Sequence, residues 1–564
     1  MNLSPENKIA GVLAPLFALR RENDLGIGDL AALREFIDWS ADGGLKLVQL
    51  LPINEIGGDN SPYNAISSVA IEPTTLELAP GTPPDLTENA FNALTADAHV
   101  ERLRHGQIKY RRVKKLKRRL LEAAFENFTA NAAEDRKDEF RLFVEGEGWL
   151  NDYTFFRVLM EENGGSEAWD QWPDKHRSIE PAREWLDGLS GDRQRAIAQR
   201  RDFFCYVQWI AHQQWRDIKS YAEKRGIALM GDIPFGISYY SADVFTRPNE
   251  FALDWAGGAP PEPYFKDDEF TQKWGQNWGI PLYAWQAMGQ SNFQWWRQRV
   301  RGVKHTFHVF RIDHVLGFYR IYAFPWRPLR NQEFLPLSWD EMRARTGGRE
   351  PHFYPRNDLS GENAEANRRD GENYLRMVLQ EAGATLVVGE DLGTVPDYVR
   401  PNLKSLGIAG FKIPQWETRH EQVVPGGEYD RLSVATYATH DHKPIRALWE
   451  EAFNEQTPTS DQAKGDLIKI AKFAEVEGNL QSLNYEPDFY RQILRALFAS
   501  NAWVAVVMLT DLLGRKYRFN VPGTAMESNW ARRMQRTVSQ LRASRKEQSR
   551  IRFLRALLAK TGRV

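Results

Sequence analysis

Short runs of apolar, mostly β-branched residues recur along the chain, and several of them end at a carboxylic acid. Runs that are nearly continuous in Val, Ile and Leu are typical of strands covered on both faces. Most of them are separated by segments with the period of amphipathic helices, which predicts parallel strands. Eight such strands predict a fold of the α/β class, a (β/α)8 TIM barrel. The eight runs are GVLAPL from Gly11, KLVQLLPI from Lys46, ALMGDIPF from Ala228, HVFRIDHV from His308, LVVGEDLG from Leu386, AGFKIP from Ala409, LSVATYATHD from Leu432 and VAVVMLTDLL from Val504.

The spacing between the runs is uneven, and the long intervals predict insertions. Several intervals are longer than one βα unit requires. Helical periodicity and strong helix formers fill the longest interval, so we expect large, mainly helical insertions. They leave from the C-terminal ends of strands and should wall the site there. We predict one catalytic domain over residues 1–564 with insertions at 66–222 after strand 2, 241–287 after strand 3 and 325–373 after strand 4.

Charge and cysteine content exclude several classes of protein. The 74 basic and 75 acidic residues nearly cancel, so no overall charge favours nucleic acid or an anionic membrane. The basic run from Lys109 to Arg119 alternates direction on a helix and is predicted to be a solvated face. Cys205 is the only cysteine, which excludes an intrachain disulfide and suits a reducing cytoplasm. No apolar run is long enough to predict a transmembrane segment.

Four predicted strands display an acid: Asp232, Asp313, Glu390 and Asp441. Barrel enzymes carry their chemistry at the C-terminal ends of strands. Breaking a glycosidic bond with retention needs two carboxyl groups about 5 Å apart, one as nucleophile and one protonated. Adjacent strands lie roughly 5 Å apart, so Asp313 and Glu390 suit those two roles. Asp441 is a third acid that can bind ring hydroxyls as the transition state forms.

Each acid also has a structural interpretation. The alternative for Asp313 is a purely structural role as the ion-pair partner of Arg311. Asp391 lies beside Glu390, so one of these two acids is a candidate to cap the next helix. Alternation along a strand allows only one of that pair to point inward, and Glu390 is the better candidate. His440 and Asp441 can be taken for metal ligands, but no HxxxH spacing or cysteine partner accompanies them. We therefore predict neither a metal nor a cofactor.

Several rare strings occur in order along the chain and carry a family resemblance. They are DLGIGDL with GDNSPYNAISS, GDIPF with SADVF, PPEPYF with GQNWGIPLYAW, the three acid motifs, and FNVPGT followed by NW. Over nearly its whole length the chain resembles the amylomaltases, the 4-α-glucanotransferases or disproportionating enzymes of glycoside hydrolase family 77. RIDHVLGF and THDH, with Val315, Leu316 and His442, depart from the common family pattern and look more like the plant cytosolic branch.

The resemblance implies a role for each matching residue. Asp313 matches the nucleophile, Glu390 the acid/base and Asp441 the acid that stabilises the transition state. Arg311 matches the residue that keeps the nucleophile ionised. The remaining matches are substrate-binding positions: Tyr63, Asp232 and His440 around the sugar at the cleavage point, Tyr264, Phe265, Gln276 and Trp278 in the acceptor-side loop, and Asn520 after the last strand.

These observations predict a cytoplasmic 4-α-glucanotransferase that acts on maltooligosaccharides and α-glucans without a cofactor. A retaining α-glucan hydrolase on the same barrel is the first alternative, because water competes with a sugar hydroxyl for one intermediate. A non-catalytic glycan-binding protein is the second. No nucleic acid or membrane partner is expected, and the sequence leaves the oligomeric state open.

Overall fold

The computed structural model describes residues 3–262, 268–455, 457–522, 524 and 526–563. Its strands are β1 Ile9–Leu13, β2 Leu47–Gln49, β3 Ala228–Pro234, β4 Phe251–Ala259, β5 Gln276–Tyr283, β6 Val309–Asp313, β7 Ile321–Phe324, β8 His352–Tyr354, β9 Leu386–Gly389, β10 Gly410–Lys412, β11 Thr418–Arg419, β12 Gln422–Val423, β13 Ser433–Ala435 and β14 Val504–Met508. The helices up to the fourth barrel strand are α1 Leu30–Asp42, α2 Glu88–Asp97, α3 Val100–Leu103, α4 Tyr110–Asn131, α5 Glu134–Gly146, α6 Trp149–Glu162, α7 Ile179–Asp187, α8 Gly191–Lys224, α9 Ala242–Thr246, α10 Glu269–Lys273, α11 Trp285–Gln290 and α12 Gln294–Thr306. Those after it are α13 Asn331–Phe334, α14 Trp339–Arg345, α15 Gly361–Ala382, α16 Val399–Ser405, α17 Ile445–Phe453, α18 Ser460–Phe473, α19 Tyr490–Ala499, α20 Leu509–Leu512, α21 Val538–Ala543 and α22 Arg545–Thr561.

Eight parallel strands form the central sheet in the order β10-β13-β14-β1-β2-β3-β6-β9. A parallel bridge between Val388 and Ala409 joins β9 to β10, and the Gly389 N–H donates to the Ala409 carbonyl at 2.9 Å. This bridge connects the two ends of the sheet. The predicted (β/α)8 barrel is confirmed, and each of the eight predicted runs contributes one strand.

Apolar side chains fill both sides of the barrel wall. Inside the barrel, Leu47, Met230, Val309 and Val506 belong to one buried cluster. On the outer side, alternate strand residues such as Val12 pack against the surrounding helices. This two-sided burial is the physical reason for the nearly continuous apolar runs in the sequence.

The insertions differ in their secondary structure. The one after β2 is helical and contains α2 to α8. The segments after β3 and β6 also contribute β4, β5, β7 and β8, which form a four-stranded antiparallel sheet in the order β5-β4-β7-β8. These four strands were not predicted from the sequence. One reason is Gly258 in β4. A Cβ at this position would lie 1.8 Å from the Gln276 carbonyl oxygen, so a glycine interrupts the alternation of apolar and polar side chains that predicts a strand. The insertion boundaries themselves stay a prediction.

The basic run at Lys109–Arg119 lies mostly on α4, and two of its side chains make contacts within the fold. Lys117 is 1% exposed, and its Nζ donates to the Thr74 and Leu76 carbonyls at 2.6 Å each. Arg118 forms an ion pair with Glu161 at 2.5 Å. The Lys117 bonds attach α4 to the loop after β2, and the Arg118–Glu161 pair joins α4 to α6. Among the helices in the described part of the chain, none is long and apolar enough to cross a membrane.

Candidate active site

The strand register of the barrel brings the first group of predicted site residues together. Asp232 on β3 pairs in register with Arg311 on β6. Ile312 pairs with Gly389 on β9, so Asp313 and Glu390 come next on two adjacent parallel strands. The Glu390 N–H donates to the Ile312 carbonyl at 2.9 Å, which continues the ladder to this point. The two carboxylates are therefore neighbours at the C-terminal end of the barrel, as the sequence predicts.

Arg311 lies between two carboxylates. Its Nη1 donates to both oxygens of Asp232, at 2.8 and 2.7 Å, and its Nη2 donates to Asp313 Oδ1 at 2.6 Å. The side chains of Arg311 and Asp232 are 4% and 0% exposed, whereas that of Asp313 is 30% exposed. Burial acts to lower the pKa of Arg311, but Asp232 and Asp313 raise it well above the usual value. A permanent cation thus holds the Asp313 carboxylate in place and leaves one side of it open to the cleft.

Glu390 has the opposite electrostatic character. Burial and, after it, the charge of Asp313 raise the pKa of Glu390 to about 8, against the opposing effect of Arg311. Its Oε2 accepts a hydrogen bond from the His314 backbone N–H at 2.9 Å. His314 has a φ of 51°, a left-handed conformation that is uncommon outside glycine and tends to occur at functional sites. The site therefore contains a carboxyl group that is protonated near neutral pH, next to one that is ion-paired.

Asp391 is directed away from this pair. Its Oδ1 accepts the Phe411 N–H at 2.6 Å, and its Oδ2 accepts from Arg400 Nε at 3.0 Å. Asp391 therefore links β9 to β10 and to α16, and Tyr398, not Asp391, precedes the first residue of α16. Alternation separated the two acids as expected.

Tyr63, in the loop after β2, joins Asp232 to His440. The Tyr63 hydroxyl donates to Asp232 Oδ2 at 2.6 Å and lies 3.2 Å from His440 Nδ1. The Tyr63 and His440 rings stack with centroids 4.7 Å apart at 16°, and Trp530 packs against both rings. Burial and the Asp232 charge raise the pKa of Tyr63 well above its usual value. The group forms an aromatic wall beside the acids.

Asp441 lies in the loop after β13, and two residues that follow β14 contact it. Its Oδ1 accepts from Asn520 Nδ2 at 2.7 Å, and its Oδ2 lies 3.1 Å from His440 Nε2. Arg518 Nη2 donates to the Asp441 carbonyl at 2.6 Å. Burial acts to raise the pKa of Asp441, but His440 and the Asn520 hydrogen bond lower it below the usual value. Arg518 was not among the predicted site residues, although it lies two residues before Asn520.

The acceptor-side loop is described in part. Gln276 and Trp278 lie on β5, and Trp278 Nε1 donates to Gln276 Oε1 at 3.2 Å. The Trp278 ring stands edge-on to His314, with centroids 4.8 Å apart at 83°, so this strand reaches the site. Tyr264 and Phe265 lie outside the described residues. In the described ranges, no group of three or more His, Cys, Asp or Glu side chains is arranged to hold a metal ion.

Comparison with known proteins gives the family. The model of glycoside hydrolase family 77, described as 4-alpha-glucanotransferase, matches residues 14–539. The chain belongs to this family. The predicted resemblance and the predicted activity of a glycosyltransferase acting on α-1,4-glucans are therefore confirmed, whereas the role of each site residue stays a prediction.

Individual relatives align with most of this chain. A 4-alpha-glucanotransferase of Chlamydia caviae is 29% identical over 94% of this chain and 91% of its own length. A 4-alpha-glucanotransferase of rice, Oryza sativa, is 27% identical over 78% of this chain and 58% of its own. Among solved structures, an amylomaltase from Streptococcus agalactiae in complex with acarbose has a TM-score of 0.72 and 22% identity, covering 99% of both chains. That likeness supports the fold.

Proposed function

We propose that this 4-α-glucanotransferase moves segments of α-1,4-glucan between maltooligosaccharides by a retaining double displacement centred on Asp313 and Glu390. The proposal rests mainly on the different electrostatic environments of these two adjacent carboxyl groups. Asp313 is ion-paired with Arg311, and the pKa of Glu390 is raised to about 8. A retaining mechanism requires one ionised and one protonated carboxyl in such proximity.

In the first step, an Asp313 oxygen attacks the anomeric carbon of the donor. The bond from that carbon to the glycosidic oxygen breaks, and Glu390 gives its proton to the departing oxygen. The products are a β-linked glycosyl ester on Asp313 and a released glucan with a free 4-hydroxyl. Glu390 is left as a carboxylate.

In the second step, the 4-hydroxyl of an acceptor glucan attacks the same carbon. Glu390 accepts the hydroxyl proton, the ester bond to Asp313 breaks, and the α linkage is restored. Asp441 remains ionised because its pKa lies below the usual value. It is placed to stabilise the oxocarbenium-like transition state through the ring hydroxyls.

The surrounding residues support sugar binding. Tyr63 presents an aromatic face to the apolar side of a pyranose, and Asp232 and His440 are hydrogen-bonding partners next to it. Gln276 and Trp278 lie on the strand that reaches the site from the acceptor-side loop. We assign Tyr264 and Phe265 to the same loop on the family resemblance alone.

The substrates of the proposed reaction are maltose-derived oligosaccharides, starch or glycogen, and its proposed location is the cytoplasm. The single cysteine, Cys205, is buried and unpaired, which suits a reducing compartment. The reaction as written balances without a cofactor. Hydrolysis is the competing outcome for the same glycosyl ester, since water can take the place of the acceptor hydroxyl.

Incubation with maltotriose tests this function. Transfer predicts both shorter and longer maltooligosaccharides, measured by chromatography, whereas a hydrolase releases only glucose and maltose. The Asp313→Asn variant should bind maltooligosaccharides with little change and lose turnover. A glycan-binding protein without activity would give no new products with either form.

A further inference from the structure

A half-exposed tryptophan and a neighbouring histidine lie beside the proposed catalytic acids and have no part in the mechanism above. Trp416 follows β10 and is 48% exposed. In the barrel, β10 stands between β9 and β13, which lead to Glu390 and Asp441 respectively. His442 directly follows Asp441, and its ring centroid lies 4.9 Å from that of Trp416, at 54°. The pair is thus located at the C-terminal mouth of the barrel, beside the acids.

The hydrogen bonds of His442 determine which ring nitrogen carries its proton. Nδ1 accepts the Thr439 backbone N–H at 3.0 Å and lies 2.8 Å from the Thr439 hydroxyl. Because Nδ1 is an acceptor, the proton of the neutral ring is on Nε2. Burial lowers the pKa of His442 to about 4, so the ring is neutral at physiological pH.

The Nε2–H of His442 is an available donor. Among the described residues no side chain or carbonyl accepts from it, and it is absent from the polar atoms that are sealed from solvent without a partner. A partly buried ring with one satisfied nitrogen and one open N–H is suited to bind a polar ligand atom. The turn from Thr439 to His442 requires only Nδ1, so that structural role does not account for the open donor.

The backbone around Trp416 is held by several contacts, although its side chain is half-exposed. Its backbone N–H donates to the Ile413 carbonyl at 2.8 Å. The side chain of the preceding residue, Gln415, donates to the Tyr437 carbonyl at 2.8 Å, and Lys412 pairs with Glu417 at 2.9 Å. The backbone that carries the indole is thus fixed, and the exposed ring offers a flat apolar surface for packing.

We propose that Trp416 and His442 form a further glucosyl subsite of the cleft. The indole packs against the C–H face of one pyranose ring, and His442 Nε2–H donates to a hydroxyl of the same ring. The proposal rests on the proposed glucan transfer. It assigns one of the departures from the common family pattern, His442, to the recognition of substrate and not to the chemical step.

Matched variants separate binding from catalysis. In an inactive Asp313→Asn background, calorimetry measures the Kd of maltoheptaose. Trp416→Ala should raise the Kd about three- to tenfold, and Trp416→Phe should recover most of the loss. Trp339→Ala is the control, because Trp339 is also 48% exposed and lies on α14, outside the proposed subsite. It should leave the Kd unchanged.

Two replacements test the histidine. Asn can still accept the Thr439 N–H but is too short to reach the Nε2 position, whereas Gln carries an N–H there. His442→Asn should therefore raise the KM for maltoheptaose about three- to tenfold with little change in kcat, and His442→Gln should raise it less. Thermal unfolding of each variant identifies any general loss of structure.

The subsite is refuted if Trp416→Ala binds maltoheptaose as tightly as Trp339→Ala does, or if the Asn and Gln variants of His442 both equal the unmodified protein. Failure of the proposed function gives a different result, because the unmodified protein would then make no longer product from maltotriose. Transfer that persists while Trp416→Ala has no effect contradicts the subsite alone.

Discussion

The protonation state of Glu390 predicts how the activity depends on pH. Burial and the neighbouring Asp313 raise the pKa of this carboxyl to about 8. A group with that pKa is about 90% protonated at pH 7, whereas a glutamate with an ordinary pKa would be about 0.2% protonated. The raised pKa therefore provides a proton donor at physiological pH that an exposed glutamate would not provide.

The corresponding assay is the pH dependence of kcat/KM for maltotriose, which reports ionisations of the free enzyme. The required form of Glu390 is the protonated one, which is present below its pKa and lost as the pH rises through it. We expect kcat/KM to be maintained to about pH 8 and to fall about tenfold per pH unit above that.

Replacing Glu390 tests the assignment of this limb. Glu390→Gln should reduce kcat/KM for maltotriose about 10²- to 10⁴-fold and abolish the alkaline limb. A maltosyl fluoride donor needs no proton at its leaving group, so its first step should be much less affected. Asp391→Asn is the control, because Glu390 is still present in this variant. The alkaline limb of kcat/KM should remain and shift slightly to lower pH, since the Asp391 charge contributes to the raised pKa of Glu390.

An alkaline limb near pH 5 would refute the reasoning, since Glu390 would then be an ordinary carboxylate. Equal losses for maltotriose and maltosyl fluoride in Glu390→Gln would also refute it, because the residue would not be donating a proton to the leaving group.

Three further predictions concern the supporting contacts. Asn520→Ala removes the 2.7 Å hydrogen bond to Asp441 and should lower kcat for maltotriose about tenfold; an unchanged kcat would exclude this role. Arg311→Met leaves the fully buried Asp232 without its ion-pair partner and should cost about 3–5 kcal/mol in urea unfolding. A cost below about 1 kcal/mol would contradict the importance of that pair. Arg563 is 0% exposed and donates to five backbone carbonyls near the amino-terminal ends of β1 and β14. Arg563→Met should therefore lower the melting temperature, and an unaltered melting temperature would show that water replaces these bonds.

The barrel was predictable because its signal is local. Each strand is buried on both faces, so apolar residues continue through Ile9–Leu13 and Val504–Met508. The acids at Asp313 and Glu390 interrupt or end such runs, and adjacent parallel strands then bring them together. Strand composition and register were sufficient to predict this part of the site.

Other features depend on contacts between distant parts of the chain. Arg518 reaches the Asp441 carbonyl from 77 positions away, and Trp530 packs on Tyr63 from the opposite end of the sequence. His314, in its left-handed conformation, donates its backbone N–H to Glu390 Oε2, 76 positions along the chain. Tertiary packing decides each of these, and no local pattern of residues reports it.

The central claim, a glycosyl ester on Asp313, can be tested directly. Glu390→Gln incubated with maltosyl fluoride lacks the base for the second step, so the ester should accumulate. Proteolysis at low pH followed by mass spectrometry should then find the mass of a maltosyl group on the peptide containing Asp313. A maltosyl group on another residue, or no adduct while fluoride is released at steady state, would contradict the account.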